Sequence, residues 1–220
     1  MPTVIDDITI ANWALAVFGG GSITAFDEGT PLADTCRAIV PRLMDRCLIS
    51  QEWRMNKATR QLERIAFGPS DPQPPNGYRH GYAFPGDALR GPFRLSLHRD
   101  TRSPPFRDWT SEGRRVFCDA EQVFGTFLLR LSPDQWGPSF LDFVITACAA
   151  ELVIPVSEDK DERDRLYAKA WGSPREGGRG GLAGKVLDEH VANDPGFDPS
   201  GDDGPLVEAV VSGQPSFTSF

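Results

Sequence analysis

The chain has 220 residues, of which 40% are apolar and 25% charged, so it can bury one sizeable core and is neither collagen-like nor wholly low-complexity. Its 22 glycines and 19 prolines imply many loops. The net charge of −8 is unevenly spread: after Lys185 there are seven acids and no Lys or Arg, which leaves 24 acids against all 23 bases in residues 1–185.

The opening residues carry Asp6 and Asp7 and lack a basic stretch, so they do not read as a secretory signal. Asp6 or Asp7 can cap a helix over Ile8–Phe18, with Ile8, Ala11, Leu15 and Phe18 on one face. Gly19-Gly20-Gly21 ends it. A phosphate loop would follow a strand and precede a helix with Lys-Ser/Thr, and neither holds here. After an extended link over Ser22–Phe26, Asp27 or Thr30 caps a second helix with Pro31 in its first turn. Leu32, Cys36, Ile39, Val40, Leu43 and Cys47 mark its apolar face to about Ser50, and Pro41 predicts a kink.

Residues 57–131 read as a β-rich insertion. A strand is expected after Lys57, then a loop over 68–77, then a strand over Tyr78–Pro85. Asp87–Arg90 reads as a separate tight element and Phe93–Leu97 as a further strand. A basic, proline-bearing loop follows at 98–108. Trp109, Arg115–Cys118 and Phe124–Leu131 give more short strands.

Ser132–Trp171 carries the strongest pattern. Ser132 caps a helix starting at Pro133, and Phe140, Phe143, Val144, Ala147, Cys148 and Leu152 recur at helical spacing. Pro155 should end it, and Ser157 should cap the next helix, whose face is Leu166, Tyr167, Ala170 and Trp171. Gly172 stops that helix, and a short one is expected over Leu182–His190. The hairpin cannot stand alone. Its bundle core is expected from Leu15, Phe18, Ile39, Leu43, Phe140, Phe143, Val144 and Cys148. The fold class is therefore α+β: a mainly helical bundle of about four helices (1–56 and 132–190), the insertion between helix 2 and helix 3, and an extended acidic arm over 191–220.

Chemistry-bearing patterns are sparse. His80, His98 and His190 show no metal-ligand spacing, and no nucleophile or nucleotide motif occurs, so neither catalytic residue, metal nor cofactor is expected. The carboxylates of Asp159–Asp164 lack the spacing of a calcium loop and read as a solvated helix face. Cys36, Cys47, Cys118 and Cys148 never sit as CxxC and read as buried, reduced thiols of a cytosolic protein. No run of about 18 apolar residues is found, so no membrane span is expected.

Taken in order, Asn12-Trp13-Ala14-Leu15-Ala16 with Gly19–Gly21 and Ile23, then Lys57-Ala58-Thr59, then Tyr82-Ala83-Phe84-Pro85-Gly86-Asp87-Ala88-Leu89-Arg90, and finally Phe140–Pro155 with Tyr167–Ala170 resemble the bacteriophage head-to-tail adaptor (connector) family. The likeness is closest to its tail tubular protein A branch and covers residues 8–171. It implies a structural virion protein rather than an enzyme, assembled in the host cytoplasm. It also implies a homo-oligomeric ring, a dodecamer, between the portal protein and the tail nozzle or tail-tube protein, with DNA passing through its channel without specific binding and no membrane partner. The arm, with Asp202, Asp203, Leu206, Val207, Val210, Val211, Phe217 and Phe220, is expected to dock on the portal or on a neighbouring subunit. The alternatives are a small phage-encoded hydrolase using His80 and Asp87, or a nucleic-acid-binding module in which Tyr78-Arg79-His80 and Phe93-Arg94 stack on bases.

Overall fold

The computed structural model describes residues 5–67, 74, 76–100, 103–173, 175 and 180–192. Among these residues the fold is α+β, with five α-helices and two small antiparallel sheets. The acidic arm from residue 193, most of the 68–77 loop and part of the 98–108 loop lie outside the described residues.

Helix α1 is Asp7–Phe18. The Asp6 carboxylate accepts from the Thr9 backbone N–H at 2.8 Å, and Gly19 closes the helix in the left-handed region at φ 76°, where a Cβ would be strained. Ile10, Ala11, Ala14 and Leu15 form the buried side, whereas Ile8 and Phe18 at the expected edges are only half-buried. Helix α2 is Pro31–Ser50. Thr30 caps it through Oγ1, which accepts from Ala33 N–H at 3.2 Å, and Pro31 occupies the first turn. The helix continues through Pro41, which lacks the N–H that would reach the Arg37 carbonyl.

Helix α2 has no glycine stop. Its last carbonyls are met by side chains instead. The Cys47 carbonyl accepts from the Trp53 indole N–H at 2.8 Å and from the Ser50 hydroxyl at 2.8 Å, and the Leu48 carbonyl accepts from the Asn56 amide at 3.0 Å. Trp53 and Asn56 are both buried, so this clamp also seals the bottom of the bundle.

The insertion holds strands β1 (Lys57–Gln61), β2 (Glu63–Arg64), β3 (His80–Ala83), β4 (Ala88–Ser96), β5 (Trp109–Glu112), β6 (Arg115–Cys118) and β7 (Phe124–Leu129). They pair in the orders β1-β7-β4 and β2-β3-β6-β5. The chain crosses from the first sheet to the second at buried Leu62, whose N–H bonds the Val123 carbonyl at 3.0 Å. Leu62, Tyr82, Leu95, Val116, Val123 and Phe127 fill the space between the sheets. Asp87–Arg90 and Phe93–Leu97 are not separate elements. Ala88 through Ser96 is one strand, because its pairing with β7 resumes at Arg94 after a register shift that absorbs Gly91-Pro92.

Helix α3 is Pro138–Ser157 and α4 is Lys160–Trp171. Two expected boundaries move. Pro133–Gln135 forms only a 3₁₀ turn, and α3 starts at Pro138 with no side-chain cap. At the other end α3 runs through Pro155. It stops at Glu158, held in the left-handed region at φ 58°, with its N–H on the Ile154 carbonyl at 3.1 Å. Ser157 is therefore helical, its hydroxyl donating to the Val153 carbonyl at 2.9 Å. Asp159 caps α4 by accepting from Glu162 N–H at 3.0 Å. Helix α5 is Gly181–Ala192 and packs on α3 and α4.

Helix α3 touches α1, α2, α4 and α5 and is the axis of the bundle. By length and composition it could also cross a membrane, although Asp142 and Glu151 interrupt its apolar stretch. Burial within the bundle accounts for that composition. Phe140, Phe143, Val144, every residue from Thr146 to Ala150, Leu152 and Val153 are buried, so the helix is enclosed along its middle, while Asp142, Ile154 and Pro155 stay exposed.

Candidate functional site

The eight residues expected in the bundle core belong to one apolar cluster. Leu15, Leu43, Phe140, Phe143, Val144 and Cys148 are buried within it, and Phe18 and Ile39 lie half-buried against it. Tryptophans contribute more than the residue spacing suggests. Trp53 meets Phe140 at 5.5 Å, Trp136 meets Phe140 at 5.3 Å and Trp171 meets Phe143 at 4.8 Å, all edge to face. Of these only Trp171 sits in a helical repeat. Trp53 and Trp136 lie in turns, where no periodicity marks them as core.

Two motif segments sit at the joints of the fold. The Asn12 side chain accepts from Ile23 N–H at 2.8 Å and donates to the Ile23 carbonyl at 2.9 Å. This two-bond clasp returns the Gly19–Gly21 turn onto α1. In the second segment, Pro85-Gly86-Asp87 makes a tight turn, with Ala88 N–H on the Pro85 carbonyl at 3.1 Å. Arg130 N–H reaches the Asp87 carbonyl at 2.8 Å, and the Arg114 guanidinium donates to the Pro85 and Ala88 carbonyls.

Three surface features surround this frame. At the seam between bundle and insertion is a cavity of about 210 Å³ lined by Asp7, Pro41, Met44, Asp45, Leu48, Asp87 and Arg130 among others. There the Arg130 guanidinium forms an ion pair with Asp45. Burial pushes the Asp7 carboxyl up; Arg130 opposes that, and the Asp6 and Asp45 charges reinforce it. A second cavity of about 330 Å³ lies among Arg60, Glu63, Phe84 and Asp87. A third, of about 350 Å³, is a groove between α2 and α3 lined by Ala38, Ile39, Arg42, Leu43, Arg46 and Glu151.

His80 and Asp87 are not brought together. His80 opens β3 opposite Cys118, while Asp87 lies in the turn beyond the far end of that strand, about 10 Å of strand rise away at the least. Neither cavity that Asp87 lines includes His80. The four thiols are buried and free, and burial raises each above the ordinary thiol range, Cys47 and Cys148 most strongly. They are protonated at neutral pH and so poor nucleophiles. Among the described residues no three His, Cys, Asp or Glu side chains gather as a metal would need. Tyr78-Arg79-His80 leads into β3, where the Arg79 N–H donates to the Asp119 carboxylate at 2.8 Å, and the Phe93 ring is faced by the Lys57 and Arg90 cations at 5.7 and 5.5 Å. The docking residues Asp202, Asp203, Leu206, Val207, Val210, Val211, Phe217 and Phe220 lie outside the described residues.

Compared with known proteins, the chain matches no family model, and no curated protein matches it.

Proposed function

We propose that this chain is a subunit of a bacteriophage head-to-tail adaptor, a structural ring that joins the portal to the tail and continues the channel through which DNA leaves. The observation that carries this reading is the agreement between motif order and fold. The segment with Asn12 and Ile23 forms the clasp behind α1. The segment with Pro85-Gly86-Asp87 forms the turn that leads into β4 beside the bundle. The closing segment supplies the α3–α4 hairpin around which the other helices pack. The residues that carry the likeness therefore hold the joints of a bundle split by a β insertion, the architecture that the likeness implies.

A ring subunit works through its surfaces, and this molecule offers several. Trp13 and Val17, one turn apart on α1, are each 40% exposed, and Ile154 on α3 is 39% exposed. The insertion carries 12 bases against 8 acids, while the two bundle segments, 1–56 and 132–190, carry 11 bases against 18 acids. Charge thus separates between the two parts, an arrangement suited to setting register between copies.

The test is electron microscopy and light scattering of the concentrated chain, alongside imaging of particles that contain it. A closed ring of about twelve copies, in solution or at the neck of a particle, is expected for such an adaptor. A chain that stays monomeric at every concentration and is absent from particles overturns the proposal.

A further inference from the structure

The groove between α2 and α3 differs from the other surface features in one respect. Arg46 in it is already engaged, 3.8 Å from Glu151 and 5.6 Å from the Trp171 ring centroid. Arg42, one helical turn earlier, is exposed and makes no ion pair among the described residues. Between the arginines the floor is apolar, with Ala38, Ile39 and Leu43. The seam cavity, by contrast, holds its cation against Asp45. On the insertion, Lys57 is held by Glu52 at 2.8 Å and both Lys57 and Arg90 face Phe93. The groove thus pairs a cation that has no ionic partner among the described residues with an apolar floor, whereas Arg60 of the second cavity lies among Gln61, Glu63 and Asp87.

We infer that this groove is a docking site for the chain's own residues 202–211. That segment is DDGPLVEAVV, with Asp202, Asp203 and Glu208 beside Leu206, Val207, Val210 and Val211 and no base. Its charge is opposite to that of Arg42, and its apolar residues match the groove floor. Reach allows the contact within one copy. Asp202 lies ten positions beyond Ala192, the end of α5, and ten extended residues span about 33 Å. A body of this size has a radius of gyration of about 16 Å. A tether of that length gives an effective concentration in the millimolar range, far above that of a second copy in dilute solution. The segment covers its own α2 groove in the free subunit, and a partner that binds either surface must displace it. The inference stands whether or not the chain is an adaptor.

The test places a benzoylphenylalanine photo-crosslinker at Val207 in the full chain and maps the adducts by mass spectrometry. The expected adducts lie on residues 38–46 of the same chain, with a yield unchanged by tenfold dilution. Arg42→Glu, at an exposed position, should cut that yield about fivefold, as loss of a surface ion pair and its replacement by repulsion predict. Reversing Asp202→Lys and Asp203→Lys in the same chain should restore it. Circular dichroism of each variant checks that the bundle remains folded, and Arg42→Gln serves should the reversal disturb it. Adducts between copies that vanish on dilution, adducts on the β strands, or a yield indifferent to both Arg42 variants would overturn the inference.

Discussion

At the scale of single residues, the chain depends on a few side chains that satisfy backbone groups or fill the bundle axis. Phe143 is fully buried and touches Trp53, Phe140 and Trp171. Phe143→Ala should cost about 3–5 kcal/mol in a denaturant titration, because three rigid rings cannot close on the cavity. A loss below about 1 kcal/mol would show that the axis repacks. Asn12 is a different case. Asn12→Ala removes two hydrogen bonds to Ile23 in a half-buried turn and should cost about 1–3 kcal/mol, measured the same way. The Glu28 carboxylate, which accepts from Thr24 N–H, the Thr24 hydroxyl and the Thr30 hydroxyl, is held down to about 2 by those bonds. It should stay ionised in an NMR titration down to about pH 2, and in the Thr24→Ala, Thr30→Ala double variant its midpoint should rise toward the ordinary carboxyl range.

Among the elements, the ends of helices decide more than their middles. Glu158 closes α3 in the left-handed region, where a side chain is strained and glycine is not. Glu158→Gly should raise stability by about 0.5–1 kcal/mol, with some of the gain offset by the freer unfolded chain. Helix α5 carries a pH-dependent contact. His190 lies 5.7 Å from the Trp53 ring, and burial lowers its pKa, with Arg54 adding to that and Glu189 opposing it. A depressed histidine favours the neutral form in the folded state. Its contribution is therefore present above the unfolded value of about 6.5 and is lost as pH falls through the lower folded one. The denaturation midpoint should fall between pH 7.5 and pH 5.5, and His190→Gln should flatten that part of the profile.

For the whole molecule, two apolar clusters meet along a seam spanned by the Arg130–Asp45 ion pair. Both side chains reach solvent, so Arg130→Ala should lower global stability by less than about 1 kcal/mol. Hydrogen exchange should nevertheless quicken at the Pro85–Ala88 turn, which the Arg130 backbone also holds. A loss of several kcal/mol would mean the seam is a structural pin rather than an adjustable joint. Under the proposed adaptor role, an adjustable seam would let bundle and insertion settle separately against neighbouring subunits.

The residue pattern alone determined the helices of the bundle, their apolar faces, the strand-rich character of residues 57–131 and the acidity of the arm. These follow from local periodicity, capping residues and composition, which are written along the chain. The tertiary structure decided what local pattern cannot carry. Pro155 stays inside α3 because Glu158 supplies a later stop. Pro138 replaces Pro133 as the first residue because the intervening turn seats Trp136 on Phe140. Trp53 and Asn56 become the cap of α2 only once the chain has turned back beneath it. The pairing of β1 with β7, across more than sixty residues, gives no local signal. Each of these depends on groups distant in sequence that meet only when the core has formed, and that meeting settles which of several locally acceptable ends or partners is used.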